Sequence, residues 1–385
     1  MNFDEVIDRR SSESVKWRLF EEEVLPLWVA DMDFRCPQAV MDALHKRVEH
    51  GIFGYGLVPQ KLISLVVDRM KDIYSWKIEP DNVSFVPGVV TGFNLAMRTF
   101  CKPGDAVMVQ TPVYGPFLSA PAVAGLKRID NPLIELENGR YEVDYDLFEE
   151  QIIQNEVKMF ILCNPHNPVG RVFLKEELKR MAEICLKHKV LICSDEIHCD
   201  LVFSGHKHIP IASLSPEVAA ITLTLIAPSK TFNIAGLHAS VLIVQNPELC
   251  ESIKNFRKGL VGNPGLLSLV AAEAAYENGS KWLKEAMIYM ESNRDWLSQA
   301  VKEKLPGIKM YTPEGTYLAW LDCRDLKSVV NPQEFFLNKA RVALNDGLDF
   351  GEGGKGFVRL NFGTPKAILE EAIQRMVDAI KTEGI

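Results

Sequence analysis

The chain has 385 residues, of which 47% are hydrophobic and 24% charged, and a formal charge of −8 at neutral pH. That composition supports a large buried core, and a prior of roughly 150 residues per domain allows two or three lobes. With no basic run interleaved with aromatics, nucleic acid and anionic membrane are excluded as main partners, and small molecules are the expected ligands.

The N-terminus, MNFDEVIDRRSSESVKW, carries no apolar stretch of signal-peptide length, and no later segment is apolar for long enough to span a membrane, so a cytoplasmic location is expected. The eight cysteines stand singly, without a C-x-x-C pair, and read as reduced thiols that form neither a disulfide framework nor a zinc site. PLWVADMDF (26–34) is too apolar to hang free. The first 45 or so residues are therefore expected to pack against another part of the chain.

From residue 83 onward, short β-rich runs alternate with longer helical stretches. The runs are VSFV (83–86), AVMVQ (106–110), KMFILC (158–163), VLICSD (190–195), AAITLTLI (219–226) and SVLIV (240–244). This rhythm predicts an open α/β sheet, and near-continuous apolar strands suit a mainly parallel sheet covered by helices on both faces. Ligands of such sheets sit at the carboxyl ends of the strands. After residue 280 the spacing predicts a long amphipathic helix, strands at 317–322 and 357–361, and a last helix from about 366, which together read as a smaller second lobe.

The strand ends carry the informative residues. NPHNPVG (164–170) follows KMFILC, and its two Asn-Pro pairs and glycine force a turn. VLICSD runs into SDEIHCD, which brings Asp195, Glu196 and His198 to the same edge. PGVVTGFNLAMRTF (87–100) opens a helix after VSFV, so Gly88, Val89 and Val90 offer free backbone N–H groups where a phosphate is well placed. In IAPSKTFNIAGLHAS (226–240), Lys230 stands alone among small and apolar residues, where a bare ammonium is costly. GEGGKG (351–356) looks like a phosphate loop but precedes a strand, and reads as a turn. Each of these stretches, taken singly, also reads as an ordinary turn or surface feature.

Their order is more specific than any one of them. N-P-x-N-P-x-G, then D-E, then S-K, then R-L-x-F in FVRLNFG (357–363) resembles the fold-type I pyridoxal phosphate enzymes of the aminotransferase class I/II superfamily over nearly the whole chain. The resemblance implies a large domain over 46–280 with a mainly parallel seven-stranded sheet sandwiched by helices, and a smaller α/β domain from 1–45 and 281–385. It implies that Lys230 binds pyridoxal 5′-phosphate as a Schiff base, that Asp195 faces the pyridine nitrogen, and that Asn167 bonds the phenolic oxygen. It also implies contacts from His198, a ring stacked on Tyr114 of TPVYGPF, and a substrate carboxylate clamped by Arg359 beside Asn167 and Ala30. The phosphate end departs from the aminotransferase pattern, with Ala227 and His238 where serine and arginine are usual. Phosphate binding then falls to Gly88, Val89, Val90, Ser229 and Tyr55, the last reaching across from the other subunit of a homodimer.

Four stretches, PLWVADMDF, GYG (54–56), DEIH (195–198) and SKTFNIAGL (229–237), are similar to the branch of cystathionine β-lyases and related carbon-sulfur lyases. That resemblance implies cleavage of S-substituted L-cysteines to pyruvate, ammonia and a thiol, with no metal. Aminotransferase chemistry stays open as an alternative, as does a cofactor-binding protein with a regulatory or interaction role.

Overall fold

The computed structural model describes residues 1–385. The central sheet has seven strands: β1 (Val83–Val86), β2 (Ala106–Thr111), β3 (Lys127–Pro132), β4 (Met159–Cys163), β5 (Leu191–Asp195), β6 (Thr222–Ile226) and β7 (Ser240–Ile243). Their spatial order is β1-β7-β6-β5-β4-β2-β3. The strands from β6 to β3 are parallel, and β7 runs antiparallel to both of its neighbours.

Every residue of β2, β4 and β6 is buried, because both faces of the sheet are covered. Side chains alternate across β4: Phe160 and Leu162 enter one apolar cluster, while Met159, Ile161 and Cys163 enter another. Helix α1 (Val89–Phe100) covers the second face with Phe93, Ala96 and Met97. Helix α2 (Lys175–His188) covers the first with Leu178, Met181 and Cys185.

Strand β3 is the sheet strand that the hydrophobic pattern does not mark. It is an edge strand, KRIDNP, in which only Ile129 and Asn131 are buried. A charged edge is how sheets avoid further pairing, and it removes the signal that hydrophobicity gives. The run AAITLTLI also divides: Pro216–Ala220 is a short helix whose Ser215 cap accepts from the Val218 N–H, and the strand starts only at Thr222.

A second sheet has the order β8 (Lys309–Met310), β9 (Leu318–Asp322), β11 (Phe357–Asn361), β10 (Asn345–Asp346), all antiparallel. Helices α3 (Ser280–Lys304) and α4 (Lys366–Glu383) share its core through Leu297, Val301, Met376 and Ile380. The N-terminal segment joins this sheet region. Leu25–Pro26 pairs in parallel with Val342–Ala343, and the Asn361 N–H donates to the Leu27 carbonyl at 2.9 Å. GEGGKG holds a short 3-10 turn, Glu352–Gly354, ahead of β11. No helix is long and apolar enough to cross a membrane.

Candidate active site

The carboxyl ends of β4, β5 and β6 open into a cavity of 630 Å³ that β11 closes from the side of the second sheet. After β6 the chain makes one helical turn, Pro228–Thr231, started by a proline whose missing N–H costs nothing at that position. Lys230 on this turn points into the cavity and donates from Nζ to the Ala30 carbonyl at 2.6 Å. Burial pushes its amine down to about 8; the charge of Arg359 adds to this, while Asp31 and Asp195 oppose it.

Asp195 is the last residue of β5. Burial pushes its carboxyl up to about 7, the Ile197 N–H opposes this, and Glu196 adds to it. Its side chain accepts that one backbone N–H at 3.0 Å and has no ion pair. His198 follows on the same turn, and burial beside Lys230 and Arg359 pushes it down to about 3, so its imidazole is neutral. Its Nδ1 has no partner.

Arg359 projects from β11. Nη1 donates to Asn167 Oδ1 at 3.0 Å, and Nη2 donates to the Trp28 carbonyl at 2.9 Å and to Asn345 Oδ1 at 2.6 Å. The guanidinium lies over the Phe350 ring, 4.8 Å from its centroid, and its Nε has no partner. Burial pushes it down to about 10. A buried cation whose polar partners are all neutral is a receptor for an anion.

Gly88, Val89 and Val90 line the cavity at the start of α1, together with Thr91. Gly88 holds φ +106°, a conformation that L side chains rarely adopt. Its own N–H, expected to be free, donates to the Val86 carbonyl at 2.9 Å, so the free first-turn N–H groups of the helix begin at Val89. Ser229, Tyr114, Asn167, Ala30 and His238 line the same space, whereas Ala227 does not. Tyr55 is the exception among the expected site residues. It lies outside the cavity, fully exposed, in a stretch at 51–59 without regular structure.

The cavity also contains Trp28, which lies in PLWVADMDF but was not named as a site residue, and Asn345, which no sequence pattern singled out. Tyr317, whose hydroxyl donates to the Ala30 carbonyl at 2.9 Å, was legible only as the start of a strand.

The model of aminotransferase class I and II matches residues 22–376. The chain belongs to that family. It is 42% identical to the cystathionine beta-lyase PatB of Bacillus subtilis strain 168 over 389 residues, 99% of this chain and 100% of that protein. Among solved structures of the family, cystalysin from Treponema denticola, which contains a pyridoxal 5′-phosphate cofactor, aligns with a TM-score of 0.95 and 35% identity over 99% of both chains. The PLP-bound C-S lyase from Staphylococcus hominis aligns with a TM-score of 0.93 and 33% identity, again over 99% of both chains.

Proposed function

We propose that this family member is a pyridoxal phosphate-dependent carbon-sulfur β-lyase that converts cystathionine and related S-substituted L-cysteines to pyruvate, ammonia and a thiol. The observation that carries the reading is one cavity holding a half-buried lysine amine, a strand-end carboxylate without a cation, and a buried arginine without an anion. The donor set fits the cofactor. The amides at the start of α1 and the Ser229 hydroxyl suit a phosphate, Asp195 suits a protonated ring nitrogen, Asn167 Nδ2 suits the phenolic oxygen, and Tyr114 and His198 border the ring space. When bound, pyridoxal phosphate supplies an electron sink that stabilises negative charge at the substrate Cα.

The chain's own groups do the rest. Arg359, held at both Nη atoms, receives the substrate carboxylate with a planar fork, beside Asn167 and Ala30. The Lys230 amine, held near 8 by burial, is neutral in a useful fraction at physiological pH and takes the Cα proton. Sulfur leaves Cβ as a thiolate without a dedicated acid, because a thiol pKa of about 8.5 makes the anion a competent leaving group. The released enamine adds one water and yields pyruvate and ammonia.

The fully exposed Tyr55, with Ile52, Phe53 and Leu57 also exposed beside it, supports a homodimer in which this stretch is covered and Tyr55 reaches the partner's phosphate end. We divide the chain into a large domain over 46–280 and a small one over 1–45 and 281–385, and place it in the cytoplasm; the pairing of Leu25–Pro26 with Val342–Ala343 supports the division.

The test is turnover of L-cystathionine without a keto acid. Pyruvate, ammonia and thiol are expected in equal amounts over many turnovers. Product that stops at one equivalent per site and resumes with 2-oxoglutarate would make the protein an aminotransferase instead.

A further inference from the structure

The segment from Trp28 to Met32 borders the cavity through Trp28, Val29 and Ala30 as a strap, and each of its backbone carbonyls receives a side-chain donor. Arg359 Nη2 bonds the Trp28 carbonyl at 2.9 Å, and Asn361 Nδ2 bonds the carbonyls of Val29 and Asp31, each at 2.6 Å. Asn233 Nδ2 bonds that of Met32 at 2.9 Å. Behind the strap, Asp33 is pinned by the fully buried Lys16 at 2.7 Å and by Arg9 at 2.6 Å. These bonds fix the position of the segment along the cavity wall.

What lies beneath is Lys230. The Ala30 carbonyl, midway between the two that Asn361 holds, accepts from Lys230 Nζ at 2.6 Å and from the Tyr317 hydroxyl at 2.9 Å. A carbonyl oxygen has two lone pairs. Tyr317, itself 1% exposed, occupies one of them from the side of the second sheet and leaves one direction for the lysine.

We propose that the Ala30 carbonyl is the acceptor to which the Lys230 amine returns whenever it is not covalently engaged, and that Tyr317 and Asn361 are positioning residues that hold this carbonyl. A lysine amine sits on a flexible four-carbon stem, and once a substrate amine displaces it nothing covalent keeps it near the Cα proton. One fixed acceptor with one open lone pair confines the nitrogen to a single position at the cavity wall. The inference rests on the cofactor reading above and deepens it.

The test uses the full chain freed of cofactor, and two probes. Covalent capture of pyridoxal phosphate, in which the Lys230 amine condenses with the aldehyde and releases one water, is followed by its near-visible absorbance. Binding of pyridoxamine phosphate, which has the same ring and phosphate but no aldehyde, needs no lysine amine. Tyr317→Phe keeps the shape of the side chain and removes only the hydroxyl. Its capture rate is expected to fall about tenfold, the scale of a misplaced reacting group, with pyridoxamine phosphate affinity within about twofold of wild type. Asn361→Ala is expected to show the same split. Unchanged capture in Tyr317→Phe overturns the proposal alone, and so does an equal loss of both probes in the two variants, which assigns the damage to the pocket as a whole. Wild-type chain that captures no pyridoxal phosphate at Lys230 overturns the cofactor reading and this inference with it.

Discussion

Arg359 and Asn167 meet across the cavity, with Nη1 of the first donating to Oδ1 of the second at 3.0 Å, although they lie 192 positions apart in the chain. This bond ties the strand of the second sheet to the turn that follows β4. It also leaves the Asn167 amide as the free donor end of that side chain. In the proposed site, this one hydrogen bond would couple substrate recognition to cofactor orientation.

Lys230→Ala is expected to lose covalent capture of pyridoxal phosphate and about a thousandfold or more of lyase turnover, since base and linkage vanish together. Borohydride reduction followed by peptide mapping checks it, and an adduct on another lysine refutes the assignment. In the wild-type chain, capture should speed up as pH rises through about 8, because only the neutral amine attacks and burial sets its titration there.

Asp195→Ala should retain the covalent cofactor and lose most turnover, about a hundredfold, because a ring nitrogen without its carboxylate is a weaker electron sink. A variant within threefold of wild type would sink the role given to this residue.

The cofactor-free chain offers a stability test of the same carboxylate. Its folded pKa, about 7, lies above the ordinary 3.8, so the ionised form is disfavoured by folding. Stability linked to this group is therefore fully present below about pH 4 and is lost as pH rises toward and through 7. Asp195→Asn should accordingly unfold later than wild type above pH 7, by on the order of a few kcal/mol, and match it near pH 4. Denaturant melts across that range report the difference, and equal midpoints at pH 8 would refute it.

Arg359→Lys should raise KM about a hundredfold while changing kcat far less, because a carboxylate clamp acts in ground and transition states alike. Lysine cannot reproduce the fork that reaches Asn167, Trp28 and Asn345 together. Steady-state kinetics on L-cystathionine decides, and a pure kcat effect would contradict the clamp.

Tyr55→Phe is expected to weaken cofactor affinity in the assembled protein. Mixed with Lys230→Ala chains, it should recover part of the wild-type activity, since one site of the hybrid regains both residues. Full activity in a protein that sediments as a monomer at micromolar concentration would rule out shared sites.

Much of the fold is legible in the sequence. MFILC, TLTLI and AVMVQ read as strands because both of their faces are buried, so the apolar pattern is continuous and local. Asn167, Asp195 and Lys230 each end or follow such a strand, but only the order of the motifs, through the resemblance it carries, singled them out as site candidates. Strand β3 escaped because an edge strand buries only alternate residues, and its KRIDNP has charges where the others have valine. Asn345 and Tyr317 escaped because nothing near them in sequence marks a residue that lines the cavity or bonds a segment that does, and in PLWVADMDF the apolar pattern does not tell Trp28 apart from its neighbours.

The sequence by itself determined the alternation of strands and helices from short-range pattern, and its resemblance to a known family pointed to the lysine, aspartate, asparagine and arginine as the site candidates. Only the tertiary structure decided which groups meet. It brought Ala30 to Lys230 across 200 positions and gave Arg359 neutral hydrogen-bond partners alone. It also placed Tyr55 outside the cavity that its own chain forms. The physical reason is that a hydrogen bond between distant segments depends on how two sheets pack against each other, and the packing of sheets is written in no single stretch of either.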